Sequence, residues 1–106
     1  MNIDDFFKQI MAMQKRFFPE ARIIILERFP FYLKARILLD DSRFIEIRIN
    51  DRSQRQSYAL IEDGKRIAGF DDLGSWHLHP RNNPTSHVKI TAPSLDHIFA
   101  YFQKSL

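Results

Sequence analysis

The sequence predicts an α+β fold, with helices at both ends of the chain packed on one face of an antiparallel β-meander of about five strands. Three observations support this. Apolar residues recur at helical spacing near both ends, they alternate with polar residues in between, and Asp63-Gly64 separates two strand-like runs. The element order of helix, strands and helix is typical of α+β proteins, and 106 residues fit one domain over residues 1–106.

The first helix is predicted over Ile3 to Phe18, where apolar residues repeat every three or four positions. Asn2 is suited to cap its N-terminus, and Pro19 ends it. A stripe at this spacing is typical of a helix packed on a scaffold, although it could also serve as a partner-binding face.

Strands are predicted next. Arg22 to Phe29 holds a β-branched run between two prolines and is expected to be largely buried. Alternating apolar and polar residues over Phe31 to Leu39 and over Arg43 to Asn50 predict two strands with one face on the core and one toward water. The charged residues expected to share the open face are Lys34, Arg36, Glu46 and Arg48.

The polar stretch 51–57, which carries Arg52 and Arg55, is expected to be a loop. Asp63-Gly64 then predicts a two-residue hairpin turn, because a type I′ turn needs positive φ at both positions. The second strand of this hairpin runs into Asp71, and a final helix is expected from Ser94.

Composition limits the class of protein. Without cysteine the chain has no disulfide and no thiolate metal site. Charged residues that include Asp4, Asp5, Lys8 and Lys15 interrupt the apolar N-terminal segment, which excludes a signal peptide or membrane span there. We therefore expect a cytoplasmic protein with no membrane partner. The net charge of +3 is a weak indication of phosphate-containing partners.

The segment Gly69 to His87 is the candidate site, since it holds two adjacent aspartates, the single tryptophan and three of the four histidines. If the backbone is extended, His77 and His79 point to the same side, and His87 can fold back toward them. Such imidazoles can bind a phosphate, hold a metal or divide acid and base roles, or simply lie in water. His97, in the final helix, is expected to lie on the helix surface, outside the site.

A metal site would need His77, His79, His87 and one carboxylate from Asp71 or Asp72. No recognised ligand spacing supports it, so we predict no metal and no cofactor. Asp71 is suited to orient an imidazole through a hydrogen bond.

Asp72 is a secondary candidate that also suits a turn. Trp76 either stacks on a base or wedges the segment onto the core, and the wedge is favoured.

Several short motifs together resemble the TumE-type toxins of prokaryotic toxin and antitoxin pairs. They are Tyr58-Ala59-Leu60, Asp63-Gly64, Phe70-Asp71-Asp72, His77, His79-Pro80 and His87. The resemblance covers about Phe44 to Phe102, although Asp72 stands where the family commonly has asparagine.

The resemblance implies a helix-turn-helix antitoxin as partner, a cytoplasmic location, and RNA cleavage. Carried over by position, it implicates Asp71, Asp72, His77, His79 and His87.

Our first hypothesis is a small metal-independent ribonuclease. His77 or His79 would act as the base and His87 as the acid, while Arg48 or Arg66 would balance charge on the transition state.

The alternative is a non-enzymatic domain that binds protein or nucleic acid on the open sheet face, through residues Tyr32, Lys34, Arg36 and Arg48. A third interpretation is a regulator that acts as a homodimer through the aromatic N-terminal helix.

Overall fold

A computed structural model, which describes residues 2–106, contains a seven-stranded antiparallel sheet with two helices on one face. Every strand pairs with its neighbours in the sequence, so the sheet order is the chain order. The elements are α1 (Ile3–Phe17), β1 (Arg22–Phe29), β2 (Tyr32–Leu38), β3 (Arg43–Asn50), β4 (Arg55–Glu62), β5 (Lys65–Asp71), β6 (His77–His79), β7 (Val88–Lys89) and α2 (Leu95–Lys104). The predicted α+β meander with flanking helices is confirmed.

The core lies between the helices and one face of the sheet. Along β2 and β3 every second side chain is buried, because successive residues of a strand point to opposite faces. Phe6 of α1 packs near Tyr58 of β4, with ring centroids 6.5 Å apart. Phe70 of β5 packs edge to face against Phe102 of α2 at 5.8 Å. The opposite face, called here the open face, has no helix over it among the described residues.

The hairpin between β4 and β5 forms as predicted. Asp63 and Gly64 both have positive φ, at 51° and 78°, and Glu62 pairs with Lys65. This turn brings β5 back along β4, and a register shift between Leu60 and Ile61 then leaves Asp71 opposite Ser57.

The prediction that β1 is largely buried is wrong. This strand forms an edge of the sheet, and Ile25 and Leu26 are each 41% exposed, while Phe29 is 54% exposed. A bulge between Ile25 and Glu27 also shifts the register against β2. An apolar run predicts a strand but does not show whether the core covers it, and here Ile23 is partly buried against the core while the strand from Ile25 onward is exposed.

The number of strands is seven rather than five. Two short strands were not predicted: β6 lies within the candidate segment Gly69 to His87, and β7 follows it directly. In addition, β4 begins at Arg55 within the expected loop, because Arg55 pairs with Asn50 of β3. Pairing with an existing strand supplies backbone hydrogen bonds to residues whose own pattern is too polar or too short to indicate a strand.

Neither helix of residues 2–106 has the length and apolar character that a membrane crossing requires.

Candidate active site on the open face

The hairpin strand β5 and the short strand β6 place the predicted site residues on the open face. Their register sets Asp71 opposite His77 and Gly69 opposite His79. Because residues two apart on a strand share a face, His77 and His79 point to the same side, as predicted. Asp71 is then the diagonal neighbour of His79, within reach of its imidazole.

His79 and Asp71 form a hydrogen-bonded pair, with 2.7 Å between Nε2 of His79 and Oδ2 of Asp71. The other carboxylate oxygen, Oδ1, accepts the backbone N–H of Leu73 at 3.2 Å. His79 is only 1% exposed, and its Nδ1 atom has no hydrogen-bond partner within residues 2–106. In a neutral His79, the carboxylate favours the proton on Nε2, which leaves the lone pair on Nδ1.

The carboxylate of Asp71 is held in its ionised form. Partial burial would raise its pKa, but the hydrogen bonds from His79 and from the N–H of Leu73 outweigh that effect and lower the pKa below its ordinary value. Asp71 can therefore orient His79 without taking up a proton itself.

His87 folds back over this pair, as predicted. Its ring lies edge to face with that of His79, with centroids 4.5 Å apart, and with that of His77 at 5.9 Å. His87 is exposed and His77 is partly exposed, whereas His79 is buried. The three imidazoles thus form one cluster in which two rings can be reached from solvent.

The absence of a side chain at Gly69 leaves space for the side chain of Arg66. A Cβ atom at Gly69 would lie 3.2 Å from Cδ of Arg66 and 3.1 Å from the carbonyl oxygen of Tyr58. Because Gly69 has no side chain, the side chain of Arg66 can pass along β5 over this position. Its guanidinium Nη2 donates to the carbonyl of Pro84 at 3.3 Å and so ties down the loop that carries His87.

The cluster lies in an open groove of about 750 Å³ on the open face. Seven of the predicted site residues line it: Arg48, Arg66, Asp71, Asp72, His77, His79 and His87. Trp76 does not line the groove but packs against the core, as the wedge interpretation expects. His97 is exposed on α2, with its ring 6.2 Å from Phe70 of the core, and it does not line the groove.

Asp72 has a structural role as well as a place in the groove. Its Oδ1 accepts the backbone N–H of Gln56 at 2.9 Å, and its own N–H donates to the carbonyl of Gln56. The side-chain amide oxygen of Gln56 accepts the hydroxyl of buried Tyr58 at 2.7 Å. Burial, together with the negative charge of Asp72, raises the pKa of Tyr58 well above its ordinary value.

The two arginines predicted to bind substrate lie at different distances from the imidazoles. Arg66 is on β5 and donates to the loop that carries His87. Arg48 is on β3, three strand spacings from His77, or roughly 14 Å. Arg48 also donates to Glu46 at 3.0 Å, and the hydrogen bonds of that carboxylate with Arg36 and Arg48 overcome its burial and lower its pKa.

Sequence reasoning missed Arg55 as a groove residue. The polar stretch around it predicts a loop, but as the first residue of β4 Arg55 lines the groove. Only the pairing of Arg55 with Asn50 reveals this position, and no periodicity in stretch 51–57 indicates it.

Among residues 2–106, no group of three or more His, Cys, Asp or Glu side chains is arranged to hold a metal ion. Compared with known proteins, the chain matches no family model, no curated protein and no solved structure. Function is therefore inferred from the residues of the groove themselves.

Proposed function

We propose that the protein is a ribonuclease that cleaves RNA by histidine acid and base chemistry, and that it is the toxin of a toxin and antitoxin pair. The observation that carries the enzymatic part is the pairing of two accessible imidazoles, His77 and His87, with ring centroids 5.9 Å apart. They lie above the buried pair of His79 and Asp71, in the groove that Arg66 also lines.

The reaction requires one imidazole to accept a proton and another to donate one. In our proposal, one of His77 and His87 removes the proton of a ribose 2′-hydroxyl, and the 2′-oxygen attacks the adjacent phosphorus. The bond from phosphorus to the 5′-oxygen breaks, and the other imidazole protonates that oxygen. The products are a 2′,3′-cyclic phosphate and a free 5′-hydroxyl. Arg66, which lines the groove and holds the loop that carries His87, balances charge on the transition state.

His79 has a different role in this scheme because it is buried. Its hydrogen bond to Asp71 fixes the ring, and the edge-to-face contact with His87 then positions the more exposed imidazole. His79 is thus assigned as a positioning residue, in contrast to the sequence hypothesis that it serves as the base. Asp71 acts through it.

The toxin assignment has a separate basis, the resemblance of the motifs between Tyr58 and His87 to TumE-type toxins. A toxin of this kind would act in the cytoplasm and be neutralised by a helix-turn-helix antitoxin. The neighbouring open reading frame is the direct test: we expect a short helix-turn-helix protein that binds this chain and blocks its activity.

Purified wild-type protein and single variants incubated with RNA test the enzymatic proposal. We expect His77→Ala and His87→Ala each to lower the cleavage rate by about 10² to 10⁴, since each removes one proton-transfer group. His97→Ala is the matched control, because His97 is an exposed imidazole outside the groove. Equal cleavage by all four proteins would remove the histidine cluster from the mechanism, and expression of the same set should show parallel effects on growth.

A second function is favoured by one observation: the groove extends beyond the histidines to Tyr32 and Arg55. A domain that binds RNA without cutting it would use the same surface. Such a domain would show binding that weakens steeply with salt and would leave the RNA intact.

A further inference from the structure

The open face carries a continuous row of side chains across six strands. Successive pairings join Lys34 of β2, Arg48 of β3, Ser57 of β4, Asp71 of β5, His77 of β6 and Lys89 of β7. The row runs perpendicular to the strands and passes through the histidine cluster. A chain-like ligand lying along it would meet the imidazoles at one end and Arg48 farther along.

A second row begins with an aromatic pair at the far end of the groove. Phe29 pairs with Tyr32 across β1 and β2, and their rings are stacked, with centroids 6.4 Å apart and planes 29° apart. Phe29 is 54% exposed, and Tyr32 lines the groove. Tyr32 is followed by Asn50 and Arg55 in the same row. Exposed aromatic faces next to cations are the elements that bind single-stranded nucleic acid.

The charge of the groove suits a polyanion. Three arginines and two aspartates line the groove, so its lining carries a net positive charge when the histidines are neutral. No ion pair among the described residues involves Arg55, which is exposed. Arg48 and Arg36 both form ion pairs with Glu46, so these three side chains together carry one net positive charge.

The length of the groove indicates the size of the ligand. From His77 on β6 to Tyr32 on β2 there are four strand spacings, or about 19 Å. At the stacked rise of about 3.4 Å per nucleotide, at most about six nucleotides span this distance, and fewer if the strand is extended. A dinucleotide at the imidazoles would not reach Tyr32.

We propose that Tyr32, stacked on Phe29, together with Arg48 and Arg55, forms a binding site for the nucleotides that flank the cleaved phosphate in a single-stranded polynucleotide. Tyr32 stacks a base, and the two arginines contact phosphates. The inference takes the cleaved phosphate from the proposed function, but the binding it predicts does not require cleavage. Single strands several nucleotides long are then the preferred substrates, and duplexes, whose bases are paired, are poor ones.

Fluorescence anisotropy with labelled 2′-deoxy oligonucleotides tests binding without cleavage, because they lack the attacking hydroxyl. We expect a strand of about eight nucleotides to bind at least tenfold more tightly than a dinucleotide and more tightly than its duplex. Tyr32→Ala should weaken binding of the longer strand by at least about fivefold. Arg48→Gln and Arg55→Gln should each weaken it and lower the salt slope by about 0.7, with no effect on the dinucleotide.

Arg16→Gln is the control for charge, because Arg16 is an exposed arginine of α1 that does not line the groove. Circular dichroism shows that each variant is folded. The proposal is overturned if the longer strand binds no better than the dinucleotide, or if the three groove variants bind as the wild type does. It is also overturned if Arg16→Gln weakens binding as much as Arg48→Gln and Arg55→Gln, since the effect would then be that of net charge.

An RNA cleavage assay with the same variants separates this inference from the proposed function. If 2′-deoxy strands bind as expected but wild-type protein leaves RNA uncut, the ribonuclease proposal fails and the flanking site stands. If RNA is cut equally fast at all lengths and by all three groove variants, the flanking site fails and the ribonuclease proposal stands.

Discussion

The buried imidazole of His79 is costly for the folded state. Its Nδ1 atom has no hydrogen-bond partner within residues 2–106, and a buried polar atom left unpaired costs about 1 to 3 kcal/mol. The pairing with Asp71 offsets part of that cost. A buried polar group that is only half satisfied is common at functional sites, which agrees with a positioning role for His79.

The pH dependence of stability in an Asp71→Asn variant tests the pairing of Asp71 with His79. Because the folded-state pKa of Asp71 is lowered, its carboxylate stabilises the protein fully above its ordinary value of 3.8, and this contribution is lost as pH falls through the lowered pKa. We expect Asp71→Asn to lower the free energy of unfolding at neutral pH. The difference in the free energy of unfolding between the variant and the wild type should disappear under acid conditions. Denaturant titrations from about pH 7 to about pH 2 measure this.

Asp40→Asn is the matched control for this experiment. Asp40 is exposed, and its hydrogen bonds with Arg43 and with the N–H of Ser42 lower its pKa to about 2. Its contribution is therefore fully present above pH 3.8 and is lost progressively as the pH falls through about 2. A difference between Asp71→Asn and wild type that is the same at every pH would contradict a pKa shift at Asp71.

Two glycines on the same hairpin matter for different reasons. Gly64 has a φ of 78° and open space around it, so only the backbone conformation disfavours a side chain. Gly69 is crowded by the carbonyl of Tyr58 and by Arg66. At Gly64 the turn therefore requires a residue that tolerates positive φ. At Gly69 the strand requires a residue without a Cβ atom.

Substitutions at these glycines separate the two effects. We expect Gly64→Ala to destabilise the protein by about 1 to 2 kcal/mol, and Gly69→Ala by about 1 to 3 kcal/mol. Gly64→Asn should recover much of the loss, because asparagine tolerates positive φ, whereas Gly69→Asn should be worse than Gly69→Ala. Urea denaturation measures all four. Recovery by asparagine at Gly69 would show that crowding is not the cause there.

The hairpin, the helices and strand β1 show which features of the fold and of the site can be predicted from sequence patterns. The hairpin turn, the two helices and the common face of His77 and His79 follow from local rules of spacing and backbone conformation, and they were predicted. The hydrogen bond of His79 with Asp71 depends on the register between β5 and β6, which no local pattern specifies. Similarly, the exposure of β1 depends on its place at the edge of the sheet.

At the scale of the whole molecule, the final helix supports the site from the opposite side of the sheet. Phe70 lies between Gly69 and Asp71 on β5 but points into the core, where it packs edge to face against Tyr101 at 5.5 Å and Phe102 at 5.8 Å. The residues that face the groove are therefore fixed by a side chain anchored under α2.

Removing part of that anchor should weaken the whole fold. We expect Phe102→Ala to lower the free energy of unfolding by about 3 to 5 kcal/mol, since Phe102 is fully buried. Gln103→Ala, at the next and exposed position, should cost much less, because it removes only a hydrogen bond to the carbonyl of Phe17. Chemical denaturation measures both, and similar losses would contradict the central role of the Phe70 contacts.

The alternation along β5 has an evolutionary consequence. Gly69 and Asp71 face the open side of the sheet, while Phe70 between them supplies the core. Inserting or deleting one residue between Ala68 and Asp71 would turn the aspartate inward and the phenylalanine outward, so fold and chemistry would be lost together. We expect lineages of this protein to vary in length only at connections such as residues 51–54 and 80–87, while the strands between them keep a fixed length.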